Sequence, residues 1–407
     1  MAYKSLQKLF NEDMSNARFE RNKEEALRRR KDLSAFATGI MLDTGELFFT
    51  VPRELSVLTE KVLRLERRVS QLWRSLPRIA QRSYFYDLIS TEIVSSNEIE
   101  GIRSTRRQIE EALESVVSDK SGAKEKKFFE FANLYLSITE SETTLPKRPE
   151  DIRLIYDRIV SGFLDEKDKP DGNLFRAQSV NIYAGNTRLV HTGVSPEAKI
   201  VEMINALLDL VHSDEIPDIY SAVLSHFLFE YIHPFYDGNG RTGRYLLALF
   251  LSRPLSVVTV LSLSRTIIEN ISIYYNAFQE VEAATNHADA TPFLLAMVGL
   301  IRKAQEDSYS ELQQKMNSLK EGENSISNLN LGNEKLNDIL SCLLQNDLFA
   351  ISPATELRVI ESFLQRSYMT TRKYLAELES RRLVRSVTLR PLRFVLSDEA
   401  RKLFNLS

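Results

Sequence analysis

The 407-residue chain holds one cysteine, Cys342, so an intramolecular disulfide framework is excluded and a reducing compartment is expected. Cys342 sits in the apolar run ILSCLL, which marks it as a core thiol rather than a nucleophile. No apolar run approaches the roughly 18 residues that a membrane span requires. The nearest candidate, around Tyr245–Leu251, stops at Ser252, Arg253 and Pro254. The first thirty residues hold no apolar leader segment. A cytoplasmic protein without membrane contact is the expectation. Net charge is only −3, too small for wholesale binding to nucleic acid or lipid, so any such contact must be local. Proline (12) and glycine (14) are scarce, which favours long helices over frequent turns.

Apolar residues recur at three- and four-residue steps in LTEKVLRLERRVSQLWRSL, IYSAVLSHFLFEYI and RYLLALFL, predicting a mainly α fold. The length calls for two or three domains. Ser118–Lys127 and Asn317–Lys335 are polar and lack an apolar stripe, so they read as a joint and an interdomain linker. This divides the chain into a helical region 1–117, a core 128–306, a linker 317–335 and a module 336–407. Two partly alternating runs around Gly185-Asn186 predict a hairpin over 178–193. In the C-terminal module three helical segments precede two short extended runs around Pro391, the layout of a winged helix-turn-helix. Arg372, Lys373, Arg390 and Arg393 could there meet DNA phosphates, and contact with another protein is the equal alternative. The run Arg28–Lys31 reads as a solvated helix face.

The segment HPFYDGNGRTGR, His233–Arg244, is the densest chemistry in the chain. Its GxGxxG spacing is no dinucleotide fingerprint, because a helix precedes it and no acid follows near Leu261–Ser264. No G-K-[ST] follows either, which excludes a Walker A loop. What remains is helix, loop and helix. Pro234 ends the first helix at or before His233. Gly238, Asn239 and Gly240 let open amides face inward at the start of the next helix, an anion site. Arg241 and Arg244 leave one helix face toward that anion, and Asp237 is an oxygen ligand suited to Mg²⁺. Phe235 anchors the loop in the core. His233, at the entrance, can take a proton from an incoming hydroxyl. The other histidines, His191, His212, His226 and His287, are taken as structural.

This segment resembles the signature of the Fic family, H-P-F-x-[DE]-G-N-G-R-x-x-R, at every fixed position. The resemblance implies a Fic-type helical core over about 128–306, with the hairpin as a flap. It implies transfer of AMP from ATP to a Tyr, Thr or Ser hydroxyl of a target protein, with its own chain as one candidate acceptor, and release of pyrophosphate. His233 would be the general base and Asp237 the Mg²⁺ ligand. Gly238, Asn239, Gly240, Thr242 and Gly243 would line the nucleotide, with Asn239 and the amides on the α-phosphate and Arg241 and Arg244 on the β- and γ-phosphates. Tyr274, Tyr275 and Asn286 become adenosine contacts. Val180, Asn181, Ile182 and Tyr183 become the strand that docks an extended target segment.

Upstream, Ser96-x-x-x-Glu100-Gly101 resembles the family's inhibitory motif, [ST]-x-x-x-E-[GN]. Ser96 and Glu100 share a helix face, Gly101 suits a helix terminus, and Thr105 with Gln108 forms a capping-box pattern. By this resemblance Glu100 pairs bidentately with Arg244 and the protein inhibits itself. Two other readings stay open: removal of AMP by the same site, and a DNA-binding regulator whose Fic core senses a ligand. The target, the trigger and whether the chain forms a homodimer are not written in the sequence.

Overall fold

A computed structural model describes residues 3–117, 128–138, 144–184 and 188–406. The polar joint expected at 118–127 and the hairpin turn at 185–187 lie outside the described residues. Helices α1 (Leu6–Glu12) and α2 (Arg18–Arg30) lead into an antiparallel hairpin, β1 (Ala35–Leu42) and β2 (Gly45–Thr50). Then follow α3 (Arg53–Arg74), α4 (Arg78–Ile99), α5 (Arg106–Val117), α6 (Phe129–Ser137) and α7 (Pro149–Ile159). A second antiparallel hairpin, β3 (Asn181–Ala184) and β4 (Arg188–Thr192), precedes α8 (Glu197–His212), α9 (Asp218–Ile232) and α10 (Asn239–Leu251). Short helices α11 (Val257–Val260) and α12 (Leu263–Glu269) connect to α13 (Ile271–Glu282) and the long α14 (Thr291–Asn328).

The rest of the chain runs α15 (Glu334–Phe349), β5 (Thr355–Glu356), α16 (Leu357–Leu364), α17 (Tyr368–Ser380), β6 (Val384–Leu389), β7 (Leu392–Leu396) and α18 (Asp398–Leu403). The strands form a sheet of order β5-β7-β6. Two compact units result. One holds Met1–Arg67 with Thr91–Glu306, the other Arg68–Ser90 with Asp307–Ser407. This departs from the boundaries read in the sequence, because α3, α4 and α14 each contribute residues to both units.

In the first unit α9 is apolar almost all round, and so is α10 from Tyr245 onward, as helices buried on every side are. Every residue of α10 is buried. Phe227, Phe278 and Phe293 meet edge-on or stacked between α9, α13 and α14. In the second unit Cys342 is fully buried and its thiol is pushed up to about 12 by burial, as suits a core residue.

Two expectations are corrected. The stretch from Asn317 is no linker: α14 continues to Asn328, leaving only a short turn before α15. Its apolar residues are sparse but correctly spaced, with Leu319 and Ile326 buried in the register set upstream by Leu312 and Met316, and its Lys320, Glu321 and Glu323 are good helix formers. The basic run of α2 is not wholly solvated either. Arg29 is buried and donates to Asp289 Oδ2 (3.0 Å) and Tyr3 Oη (2.7 Å), while Arg30 donates to the His287 carbonyl (2.7 Å).

Candidate active site

The loop between α9 and α10 is built from its proline and its glycine. Helix α9 stops at Ile232 because Pro234 disfavours helical backbone in the residue before it, and His233 turns left-handed at φ +50°. Phe235 stacks on Tyr156 with ring centroids 3.5 Å apart, which pins the loop to α7. The Asn239 side chain braces the turn, accepting from Phe235 N (3.0 Å) and donating to Phe235 O (2.8 Å). Its amide group is thereby occupied by the loop itself. Gly238 opens α10 at φ +81°, where a Cβ would also stand 2.6 Å from Val160 Cγ1. No other residue type fits there.

Two arginines lie on the first turns of α10, both buried, Arg241 at 0% and Arg244 at 3% exposure. None of the Arg241 guanidinium nitrogens has a hydrogen-bond partner among the described residues. Its nearest carboxylate oxygen is Asp237 Oδ2 at 3.5 Å, and burial depresses its pKa. A buried guanidinium without hydrogen bonds is expensive, and an anion at the helix start relieves it. Asp237 is half-exposed and accepts from Gly238 N (2.7 Å). Thr242 Oγ1 donates to Gly238 O (2.8 Å) and Gly243 packs against the Glu230 carboxyl.

His233 Nδ1 lies 3.3 Å from the carbonyl of Glu230. A carbonyl only accepts, so Nδ1 carries the hydrogen and Nε2 keeps the free lone pair. Burial lowers the imidazole to about 4, leaving it neutral at physiological pH. That is the protonation state a base needs, and phosphate charge brought nearby raises its basicity.

Arg244 is held by α4. Its Nε donates to Ser96 Oγ (3.0 Å), and its Nη2 to Ser96 O (2.8 Å) and Glu100 Oε1 (2.8 Å). The Glu100 contact is thus single rather than bidentate, because Ser96 takes the Nε side of the fork. The same Glu100 oxygen hangs over Gly240, where a Cβ would stand 2.0 Å from it. A carboxylate therefore occupies the start of α10, where an anion belongs. Gly101 ends α4 left-handed at φ +71°, with Ile102 N bonded to Asn97 O (2.9 Å) and Gly101 N to Glu98 O (3.0 Å). Thr105 and Gln108 cap α5 reciprocally.

Residues 146–251 match the Fic/DOC family. A Fic/DOC domain lies at this site. Over 164 residues the chain is 28% identical to the protein adenylyltransferase fic-1 of Caenorhabditis elegans, covering 40% of this chain and 28% of that protein. It is 33% identical over 104 residues to the protein adenylyltransferase Fic of Drosophila yakuba, covering 26% of this chain and 19% of the relative. The chain thus spans well under half the length of these curated relatives. A crystal structure of a Fic family protein from Desulfovibrio desulfuricans shares the fold, with a TM-score of 0.51 at 18% identity over 86% of this chain and 98% of that one.

Around the Fic domain's loop the remaining expected residues fall in different settings. Tyr274 is buried at 2% exposure and its hydroxyl meets His226 Nε2 (2.8 Å), whereas Tyr275 is 46% exposed. Asn286 is fully buried. Its Nδ2 donates to Asp289 O (2.8 Å), and its Oδ1 has no partner. In the flap, Asn181 pairs with Thr192 and Ile182 with His191, and Val180 O accepts from Gly193 N (2.9 Å). Tyr183 lies on β3 opposite Leu189.

Several residues around the site were not singled out in the sequence or, like His191 and His226, were taken as structural. Glu230 Oε2 stands 4.0 Å from His233 Nδ1, its Oε1 is buried without a partner, and burial pushes the carboxyl up to about 8. The i, i+3 spacing to His233 was a usable signal for it. His191, on β4, bridges Glu282 Oε2 (2.7 Å) and Tyr231 O (2.6 Å). His226 is fully enclosed between Gly243 O and Tyr274 Oη, and burial lowers it to about 3. Arg176, an isolated basic residue in a polar stretch, carried no sequence signal at all.

Proposed function

We propose that this chain is a protein adenylyltransferase, moving AMP from ATP to a hydroxyl side chain of a protein and releasing pyrophosphate. The observation that carries this reading is the pair of buried guanidiniums at the open start of α10, one without any hydrogen bond and the other held by a carboxylate. The names of the relatives agree with it. In this reading the target hydroxyl attacks the α-phosphorus while His233 Nε2 takes its proton. The bond from the α-phosphorus to the bridging oxygen breaks, and pyrophosphate leaves with its charge held by Arg241, Arg244 and the α10 amides. Glu100 occupies that charge site in the resting protein and holds the activity down.

Asp237 fits a Mg²⁺ ion held by one protein carboxylate and the substrate's own phosphates, since it is half-exposed at the loop. Among the described residues no group of three or more His, Cys, Asp or Glu could hold a metal unaided. When bound, the ion would neutralise phosphate charge, while Asp237 fixes its place.

The test is transfer of labelled AMP, with the chain's own hydroxyls as first acceptor. Labelling by Glu100→Gly well above wild type, abolished by His233→Ala, is expected. Release of AMP from a pre-modified protein, without forward transfer, would favour the hydrolytic direction instead. A second role rests on the C-terminal unit. Lys373, Arg385 and Arg390 are exposed, and among the described residues none of them forms an ion pair, which leaves them open to nucleic-acid phosphates. By contrast Arg372 lies over Phe394, and Arg393 is bonded to Glu356 (3.0 Å). Duplex binding that weakens steeply with salt would support this role.

A further inference from the structure

Arg176 is fully buried 57 positions before His233, and among the described residues its guanidinium donates only to main-chain carbonyls. Its Nε donates to His233 O (2.8 Å) and its Nη1 to Gln178 O (2.7 Å). Its Nη2 donates to Val194 O (2.7 Å) and Ile232 O (3.3 Å). Its own amide donates to Pro234 O (3.1 Å), and Val194 N donates to Ile232 O (3.1 Å). One residue therefore brackets the left-handed turn at His233 on both sides and also grips the segments that enter and leave the flap. The fit is close. A Cβ at Gly193 would stand 2.4 Å from Arg176 Nη2 and 3.1 Å from His233 Cβ.

The geometry points to Arg176 as the positioning residue of the reaction, setting the base and the foot of the flap with a single guanidinium. The consequence is that the docked target and His233 keep one fixed spacing. A left-handed, non-glycine turn needs such support, because the backbone alone disfavours it. A planar fork with five donors reaches four carbonyls at once; an ammonium with three cannot. Arg176 touches neither the α10 arginines nor Asp237, so nucleotide binding is outside its reach.

The inference rests on the transferase reading, and its test separates the two. In the Glu100→Gly protein, Arg176→Lys keeps the charge and loses the fork, while Gly193→Ala keeps the arginine and displaces it. Each is expected to lower kcat for labelled-AMP transfer roughly 10- to 100-fold, the loss that a small misplacement of reacting groups produces. ATP affinity should change less than about twofold in both, since phosphate contacts are intact. Amide exchange at Val194 and Arg176 should quicken. Unchanged kcat and unchanged exchange in both variants would overturn the assignment, as would an ATP affinity that falls in step with kcat. Should the Glu100→Gly parent transfer no AMP, the transferase reading fails, and exchange with ATP binding alone decides the role of Arg176.

Discussion

Replacing Glu100 by glutamine removes one charge from the site and almost no volume. In the resting protein Glu100 Oε1 accepts from Arg244 Nη2 at 2.8 Å, with Arg244 side-chain exposure at 2% and Glu100 at 29%. A charge-assisted hydrogen bond of that kind contributes about 1.5–3 kcal/mol net. A phosphate seeking Arg244 must displace it, so Glu100→Gln should tighten ATP binding by roughly 10- to 150-fold. The carboxamide still hangs over Gly240, where the space is already filled to within 2.0 Å of a Cβ position. Glu100→Gly removes that bulk too and should bind more tightly still. The measurement is ATP affinity by calorimetry for wild type, Glu100→Gln and Glu100→Gly. Repeating it at 0.5 M salt should leave the ranking intact, because a pair this enclosed is weakly screened. An affinity for Glu100→Gln within twofold of wild type would refute the argument.

Two further outcomes follow from the same geometry. Arg241→Met should abolish ATP binding yet raise thermal stability, because a buried guanidinium with no hydrogen bond among the described residues and only a 3.5 Å ion pair to half-exposed Asp237 is replaced by a flexible apolar chain; about 1–3 kcal/mol is expected. A lower melting temperature would show that the weak Asp237 pair already offsets the burial cost. His191 should matter most on the acid side. Burial opposes its charge, but Glu282 and the Tyr231 carbonyl outweigh this and raise its pKa in the fold, with Asp43 adding to them. Its contribution is then complete below the unfolded value near 6.5 and is lost as pH rises through the higher folded value. The melting-temperature gap between wild type and His191→Gln should therefore narrow from pH 6 to pH 9, and a gap that widens would reverse the assignment.

The loop was legible in the sequence because its chemistry is local. A proline, two glycines and two arginines at fixed spacing dictate a turn and a helix start without help from elsewhere. The end of α9 and the left-handed Gly101 were likewise written in adjacent residues. What was illegible depends on distant segments. Arg176 acquires its role only when residues 178, 194 and 232 converge on it, and His191 only when α13 supplies Glu282. The bracing of the loop by the Asn239 amide on Phe235 was likewise not visible in the sequence. The error at 317–335 was one of threshold: Leu319 and Ile326, continuing the register of Leu312 and Met316, hold a helix to Asn328 that composition alone suggested was loose.

The contact between Arg244 and the Ser96 carbonyl carries one more consequence. The last carbonyls of a helix have no partner within it. Glu100 N bonds to Asn97 O, which leaves Ser96 O to Arg244 alone among the bonds described. Arg244 is thus the C-terminal cap of α4, and in the transferase reading it must also hold phosphate, which it cannot do fully at the same time. Nucleotide that engages Arg244 uncaps α4, and whatever frays the last turn of α4 sharpens nucleotide affinity by the same factor, since coupling between two equilibria is reciprocal. Order in a single helical turn is then a dial on ATP affinity, readable in either direction.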